Sequence, residues 1–227
     1  MNRWEIVWRH RQIIVDGLEN TLILFAGSSV TAFLLGCLMA LLIQTCRPPL
    51  NRVLRGLVDG MRMLPFLTYA YVLYYGLPSL GVRFDAWTAG FLALITYHAA
   101  YFAEILRGSW ATLPVSQVEA ARACGFTTLP MYRRIILPQL VLRSAPVLGN
   151  QLIICLKDTA FLMIITVREL TASASAVQST YFVPFEAFVV AIGLYWLISA
   201  SIEGLVMGIG LVAERRGLGY GRAVARR

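Results

Sequence analysis

Of the 20 basic residues in this 227-residue chain only one, Lys157, is a lysine. The Walker A loop GxxxxGK[ST] needs a lysine whose ammonium reaches the nucleotide phosphates. Lys157 instead lies in an apolar run and is followed by Asp158, so ATP hydrolysis by that route is excluded. The two histidines, His10 and His98, stand far apart with no metal-ligand spacing around either. His98 reads more readily as a packed or hydrogen-bonded side chain than as a ligand or proton relay. No GxSxG nucleophile elbow occurs. The four cysteines, Cys37, Cys46, Cys124 and Cys155, form neither a CxxC pair nor a disulfide framework. Gly217-x-Gly219-x-Gly221 follows no strand and reads as flexible tail. Charge itself is scarce: 14% of residues, against roughly a quarter in soluble domains. The sequence therefore offers no catalytic constellation, and an enzyme is the weakest reading.

What the chain has in abundance is apolar length. It is 58% hydrophobic, with a mean hydropathy of +0.68. Asn20 to Cys46, Met63 to Val82 and Ala86 to Ala103 contain no Asp, Glu, Lys or Arg; each is near or above the ~18 residues expected of a spanning helix. Ser144 to Val167 and Ala187 to Ala213 qualify once Lys157–Asp158 and Glu203 are allowed inside them. The expected fold is an all-α membrane protein with five transmembrane helices, at about 20–46, 60–82, 86–107, 141–167 and 187–213. Residues 17–213 then form one transmembrane domain. Fourteen arginines fall on one side of this arrangement and five on the other, and loops rich in Arg prefer the cytoplasm. The amino terminus is thus expected outside and the carboxyl terminus in the cytoplasm. Trp4 and Trp8, flanked by Arg3, Arg9 and Arg11, mark residues 1–16 as an interfacial segment. No cleavable signal peptide is read there, because the first apolar run is too long for one. The basic tail, 214–227, suits anionic lipid better than nucleic acid.

One polar stretch, EAARACGFTTLPMYRRIILP (119–138), separates two of these runs. Ser116-Gln117-Val118-Glu119 fits a capping box, which starts a helix at about Gln117. Gly125 can end it in the left-handed conformation. Thr127 or Thr128 can cap a second helix with Pro130 in its first turn, and Pro138 disfavours helix at Leu137 and closes it. Helices of about eight residues are marginal alone, so something packs on this pair. Spacing alone leaves two choices open: the loop folds back on its own membrane helices, or it docks a partner.

Glu119-Ala120-Ala121, then Gly125, then Ile135-x-Leu137-Pro138 match the EAA motif of ABC importer permeases. The surrounding TYHAAYFAEILRGSW (96–110), RMLPFLTYAYVLYYGLP (62–78) and NQLIICLKDTAFL (150–162) are similar to the polar amino acid branch of that family, which includes histidine, lysine, arginine, glutamine and opine importers. The resemblance covers roughly residues 17–216. It implies a type I ABC importer permease fold in the bacterial cytoplasmic (inner) membrane. The loop 111–138 is then the coupling element, with Ser116, Glu119, Ala120, Ala121, Gly125, Ile135, Leu137 and Pro138 at the contact with a cytoplasmic ATP-binding subunit. That partner would use ATP and Mg; this chain binds no cofactor. The other implied partners are a second permease subunit, the same or related, an extracytoplasmic substrate-binding protein, and membrane lipid. Ser116 replaces the family's common Gly, and Ala160-Phe161 its common Ser-Leu.

Lys157 and Asp158 are the candidate translocation residues. Charges inside a span usually face a cavity or a partner, and neighbours on a helix point about 100° apart, so each needs its own partner. The pair either lines the substrate route or binds neighbouring helices. Glu203 reads as a structural partner of Arg62 or Arg143, and Glu104–Arg107 as a local ion pair. Ala32, Gly36 and Ala40 make a small-residue line on the first span, for packing within the chain or against a second subunit. The different-class alternative is an ion-coupled secondary transporter using these charges, which would need no ATPase chain.

Overall fold

The structure, a computed structural model, describes residues 2–215, with side chains through Leu211; the tail from residue 216 lies outside the described residues. A short helix, α1 (Arg3–Arg9), starts at a capping box in which Asn2 and Glu5 satisfy each other's backbone N–H groups. It leads into α2 (Arg11–Thr45). Then follow α3 (Leu50–Met63), α4 (Phe66–Tyr71), α5 (Ala86–Ala111), α6 (Val115–Ala123), α7 (Thr128–Met131), α8 (Leu137–Asp158), α9 (Leu170–Tyr181) and α10 (Pro184–Arg215). No strand occurs among the described residues.

Among the described residues four helical stretches are long and apolar enough to cross a membrane: Arg11–Thr45, Ala86–Ala111, Thr128–Ile165 and Pro184–Leu211. The stretch expected at 60–82 is broken instead. Helix α3 ends at Met63, and Leu64 is extended, with φ −81° and ψ 141°. The cause is Pro65, whose ring disfavours helical geometry in the residue before it. Helical structure resumes at Phe66 and passes through a wide π turn (Val72–Gly76) and a 3-10 turn (Leu77–Leu80). Those fifteen residues reach roughly 22 Å at 1.5 Å each, short of the ~30 Å hydrocarbon core.

Small residues set how the long helices meet. Ala32 and Ala40 of α2 are fully buried. A Cβ placed on Gly36 between them would lie 2.6 Å from Phe102 Cβ of α5. The small-residue line therefore packs within the chain. Gly149 of α8 is similarly filled by Val206 of α10. Phe102 and Leu106 are fully buried, and in lipid such close van der Waals packing, not exclusion of water, holds helices together. Helix α9 was not legible in the sequence. Left-handed residues frame it, Thr166 (φ 68°) before and Phe182 (φ 55°) after. Helix α10 stands at the edge, with Ile192, Trp196, Leu205 and Met207 exposed.

Candidate functional site

The polar stretch folds as a corner. Helix α6 begins two residues earlier than the capping box requires: Pro114 is its cap, with φ −59° and ψ 128°, and no side chain completes the cap. Ser116 therefore lies in the first turn as an exposed residue and does not cap. Proline wins because its fixed φ already suits the entry to a helix. The far end follows expectation. Gly125 has φ +79°, its N–H donates to Arg122 O at 2.9 Å, and Phe126 N–H donates to Ala121 O at 3.1 Å. This pair of bonds is the Schellman arrangement.

The second half does not stop at Pro138. Thr128 to Ile165 is one helical stretch, in which Leu137 keeps helical angles of φ −56° and ψ −45°. Proline is tolerated there because the preceding turn, Tyr132–Ile136, is a π turn. The widened turn relieves the clash a proline ring makes with the carbonyl four residues earlier. The second half of the corner is thus an extension of a membrane helix, and only α6 is a separate short helix.

One side of the corner is fastened inward. Ala121, Met131, Tyr132, Ile136 and Leu140 join a buried cluster with Cys37, Ala40, Leu106 and Leu113. Tyr132 donates to Cys37 O at 2.8 Å, and its ring stacks on Trp110 with centroids 5.2 Å apart. The other side is open. Glu119, Ala120, Gly125 and Pro138 are exposed, while Ile135 and Leu137 are half-buried.

Lys157 and Asp158 sit at the opposite end of α8, about 30 Å from Leu137 at 1.5 Å per residue. There the helix tightens into a 3-10 turn (Thr159–Ile165). The two charges part as adjacent helical residues must. Asp158 is buried, with Oδ2 3.3 Å from His98 Nε2. His98 is fully buried, and Gln151 Nε2 lies 2.8 Å from its Nδ1. The way the Gln151 amide is turned sets which ring nitrogen carries the proton. The Nε2–Asp158 contact is off the line of a hydrogen bond, so its attraction is electrostatic. Lys157 is exposed and opens on a cleft of about 440 Å³, with Thr171, Ile192, Tyr195, Trp196 and Ser199 in its walls.

Behind that cleft is a carboxylate the sequence did not reveal. Glu169 is fully buried and caps α9. It accepts from Ala172 N–H at 2.6 Å, Thr171 N–H at 2.8 Å and the Tyr195 hydroxyl at 2.8 Å. Burial pushes its carboxyl above the ordinary range, and these three hydrogen bonds pull against that rise. The signal available was an acid directly before LTASASAVQSTY; glutamate is not a favoured cap, which hid it.

Glu104 holds Arg107 through two bonds, of 2.7 and 2.6 Å, as expected. Arg62 lies 3.7 Å from Glu104 and 3.4 Å from Asp59. It is therefore not the partner of Glu203, and neither is Arg143: among the described residues Glu203 has no ion pair and is exposed.

Long apolar helices, one of which extends into an exposed polar corner and carries charges at its far end, make this a helical membrane protein. The family described as binding-protein-dependent transport system inner membrane component matches residues 32–209, and the chain belongs to it. It is 32% identical to the probable glutamine ABC transporter permease protein GlnM of Bacillus subtilis (strain 168), over 85% of this chain and 89% of that one. It is 30% identical to the nopaline transport system permease protein NocM of Agrobacterium fabrum, over 86% and 88%. A crystal structure of an amino acid ABC transporter with histidines is 30% identical and superimposes with a TM-score of 0.80, covering 92% of this chain and 96% of that one. The inward-facing MetNI methionine ABC transporter, 20% identical with a TM-score of 0.70, shares the fold.

Proposed function

We propose that this permease carries a polar amino acid or an opine, received from an extracytoplasmic binding protein, across the bacterial cytoplasmic membrane in an ATP-driven importer. The similarity to glutamine and nopaline permeases supports this substrate class. The observation that carries the mechanism is the two-sided corner, with Ala121 and Tyr132 fastened inward and Glu119 and Ala120 open. Such a corner can take a push from a cytoplasmic ATP-binding subunit and hand it to α8, because its second half, from Thr128 on, is one helical stretch with α8. ATP and Mg²⁺ belong to that partner. A second permease, the same chain or a related one, completes the route, and Lys157 and Asp158 border it.

Five crossings complete this reading. Helix α4 and its continuation form the second, thin one, with the amino terminus outside and the carboxyl terminus in the cytoplasm. Fourteen arginines against five support that orientation.

The test is extraction in mild detergent, capture through a tagged carboxyl terminus, and an ATPase assay of what co-purifies. The capture is repeated with Glu119→Arg plus Gly125→Leu. A soluble P-loop protein that comes down with the wild type and is lost with the double variant supports docking at the corner. A folded wild type that captures nothing and transports down an ion gradient overturns the proposal.

A further inference from the structure

Helix α1 ends at an elbow, His10, from which α2 starts, and the elbow stands against the beginning of α10. Trp4 meets Phe185 edge-on, with ring centroids 6.5 Å apart, and the buried Val7 and Ile14 share a cluster with Val183 and Ala187. Beside this packing a cleft of about 920 Å³ stays open, at the upper end of the ~300–1,000 Å³ usual for ligand pockets. Its mouth is basic and aromatic, with Trp4, Trp8, Arg9 and Arg11 in its walls. Its floor is aliphatic: Val15 of α2, and Val190 and Leu194 of α10, all inside apolar spans. Leu194 lies about 15 Å along α10 from its start at Pro184.

The cationic mouth lacks a counter-charge. Among the described residues neither Arg9 nor Arg11 has an ion pair. Arg11 Nη1 donates to Trp8 O at 3.1 Å, and its guanidinium lies 4.9 Å from the centre of the Trp8 ring, which holds it at the rim. The nearby acids are turned elsewhere: Glu5 accepts from the Asn2 N–H at 3.4 Å and Asp16 from the Gln12 amide at 2.8 Å. A soluble partner can meet the arginines but does not follow the floor into hydrocarbon. We infer that this cleft binds one anionic phospholipid, with its phosphate between Arg9 and Arg11 and an acyl chain along Val15, Val190 and Leu194. Tryptophan is at home at headgroup level, which is where the Trp8 ring then sits. Each arginine near the surface favours a net-negative lipid by about fivefold. Phosphatidylglycerol is therefore held in preference to phosphatidylethanolamine, whose ammonium cancels the phosphate charge and finds Glu5 already engaged. The site requires only that the chain spans a membrane, whichever leaflet α1 faces.

The experiment is native mass spectrometry of the full chain in detergent, titrated with phosphatidylglycerol or phosphatidylethanolamine of identical acyl chains. Wild type is expected to retain a first phosphatidylglycerol at least about fivefold better. Arg9→Gln with Arg11→Gln should abolish that preference, and Arg9→Lys with Arg11→Lys should keep most of it. Val15→Trp, which fills the cleft from a half-exposed position, should weaken both lipids. Arg52→Gln with Arg55→Gln, an equally exposed pair on α3, is the control and should change nothing. A preference that survives loss of Arg9 and Arg11 overturns the inference, as does one that falls equally in the α3 control, or a wild type that retains both lipids alike. If the Arg9 and Arg11 double variant does not purify folded, Val15→Trp decides, and unchanged lipid retention in it overturns the site. A double variant that keeps its lipid preference but no longer captures an extracytoplasmic binding protein also overturns it, and makes the mouth a protein-docking surface.

Discussion

Replacing Gly125 by alanine isolates one physical quantity at the glycine corner. A Cβ added there meets no atom within 4 Å, so there is no clash to relieve. What changes is the backbone: φ is +79°, a left-handed conformation that costs an L-residue with a Cβ about 1–2 kcal/mol. Two hydrogen bonds, Gly125 N–H to Arg122 O and Phe126 N–H to Ala121 O, exist only in that conformation. Without them α6, at 9 residues, is too short to persist by itself. A shift of 1–2 kcal/mol changes a population about 5- to 30-fold. The affinity of the ATP-binding subunit for the nanodisc-embedded permease should fall by that factor in Gly125→Ala. Gly125→Asn should lose less, because asparagine tolerates the left-handed region. Gly60→Ala is the control: it too meets nothing within 4 Å but lies inside α3, where alanine favours the helix. Titrating labelled ATPase subunit against each variant reads the ratios. Wild-type affinity in Gly125→Ala, or a larger loss in Gly125→Asn, would refute the reasoning.

Gly36→Leu should destabilise the detergent-solubilised protein by about 1–3 kcal/mol or more, since even a Cβ at Gly36 lies 2.6 Å from Phe102 Cβ; an unchanged melting temperature would contradict this. His98→Phe and Asp158→Asn should be coupled by about 0.5–3 kcal/mol in a double-mutant cycle of thermal stability, because the two groups are 3.3 Å apart; strict additivity would show the contact to be idle. Glu169 gives a pH dependence. Its carboxyl is raised above the ordinary 4.5 by burial, so the folded state holds that proton more tightly than the unfolded one. Its contribution is fully present below pH 4.5 and declines as pH rises through the raised value. Glu169→Gln should flatten the melting temperature over that range, and a slope identical to wild type would remove Glu169 as its source.

The membrane class, four of the expected spans and the position of the corner were legible because each rests on local chemistry. Long runs without charge must be helices in lipid, and the Gly125 stop needs only a missing Cβ. Ser116 and Pro138 misled for a related reason: each local preference was real, but Pro114 supplied a competing start and the π turn before Leu137 absorbed the second proline. Glu169 stayed hidden because nothing near it in the chain announces the Tyr195 hydroxyl that completes its bonding, 26 residues away.

By itself, then, the sequence determined that the chain lives in lipid, that it carries no P-loop, and that residues 119–138 form a glycine-broken corner. Tertiary structure alone decided which side of the corner is open, that His98 and Gln151 stand behind Asp158, and that Glu169 is covered while Lys157 is open. Periodicity fixes directions around one helix. Only the packing of Gly36 on Phe102 and of Gly149 on Val206 fixes how helices are turned towards one another, and so which charges are covered and which remain open.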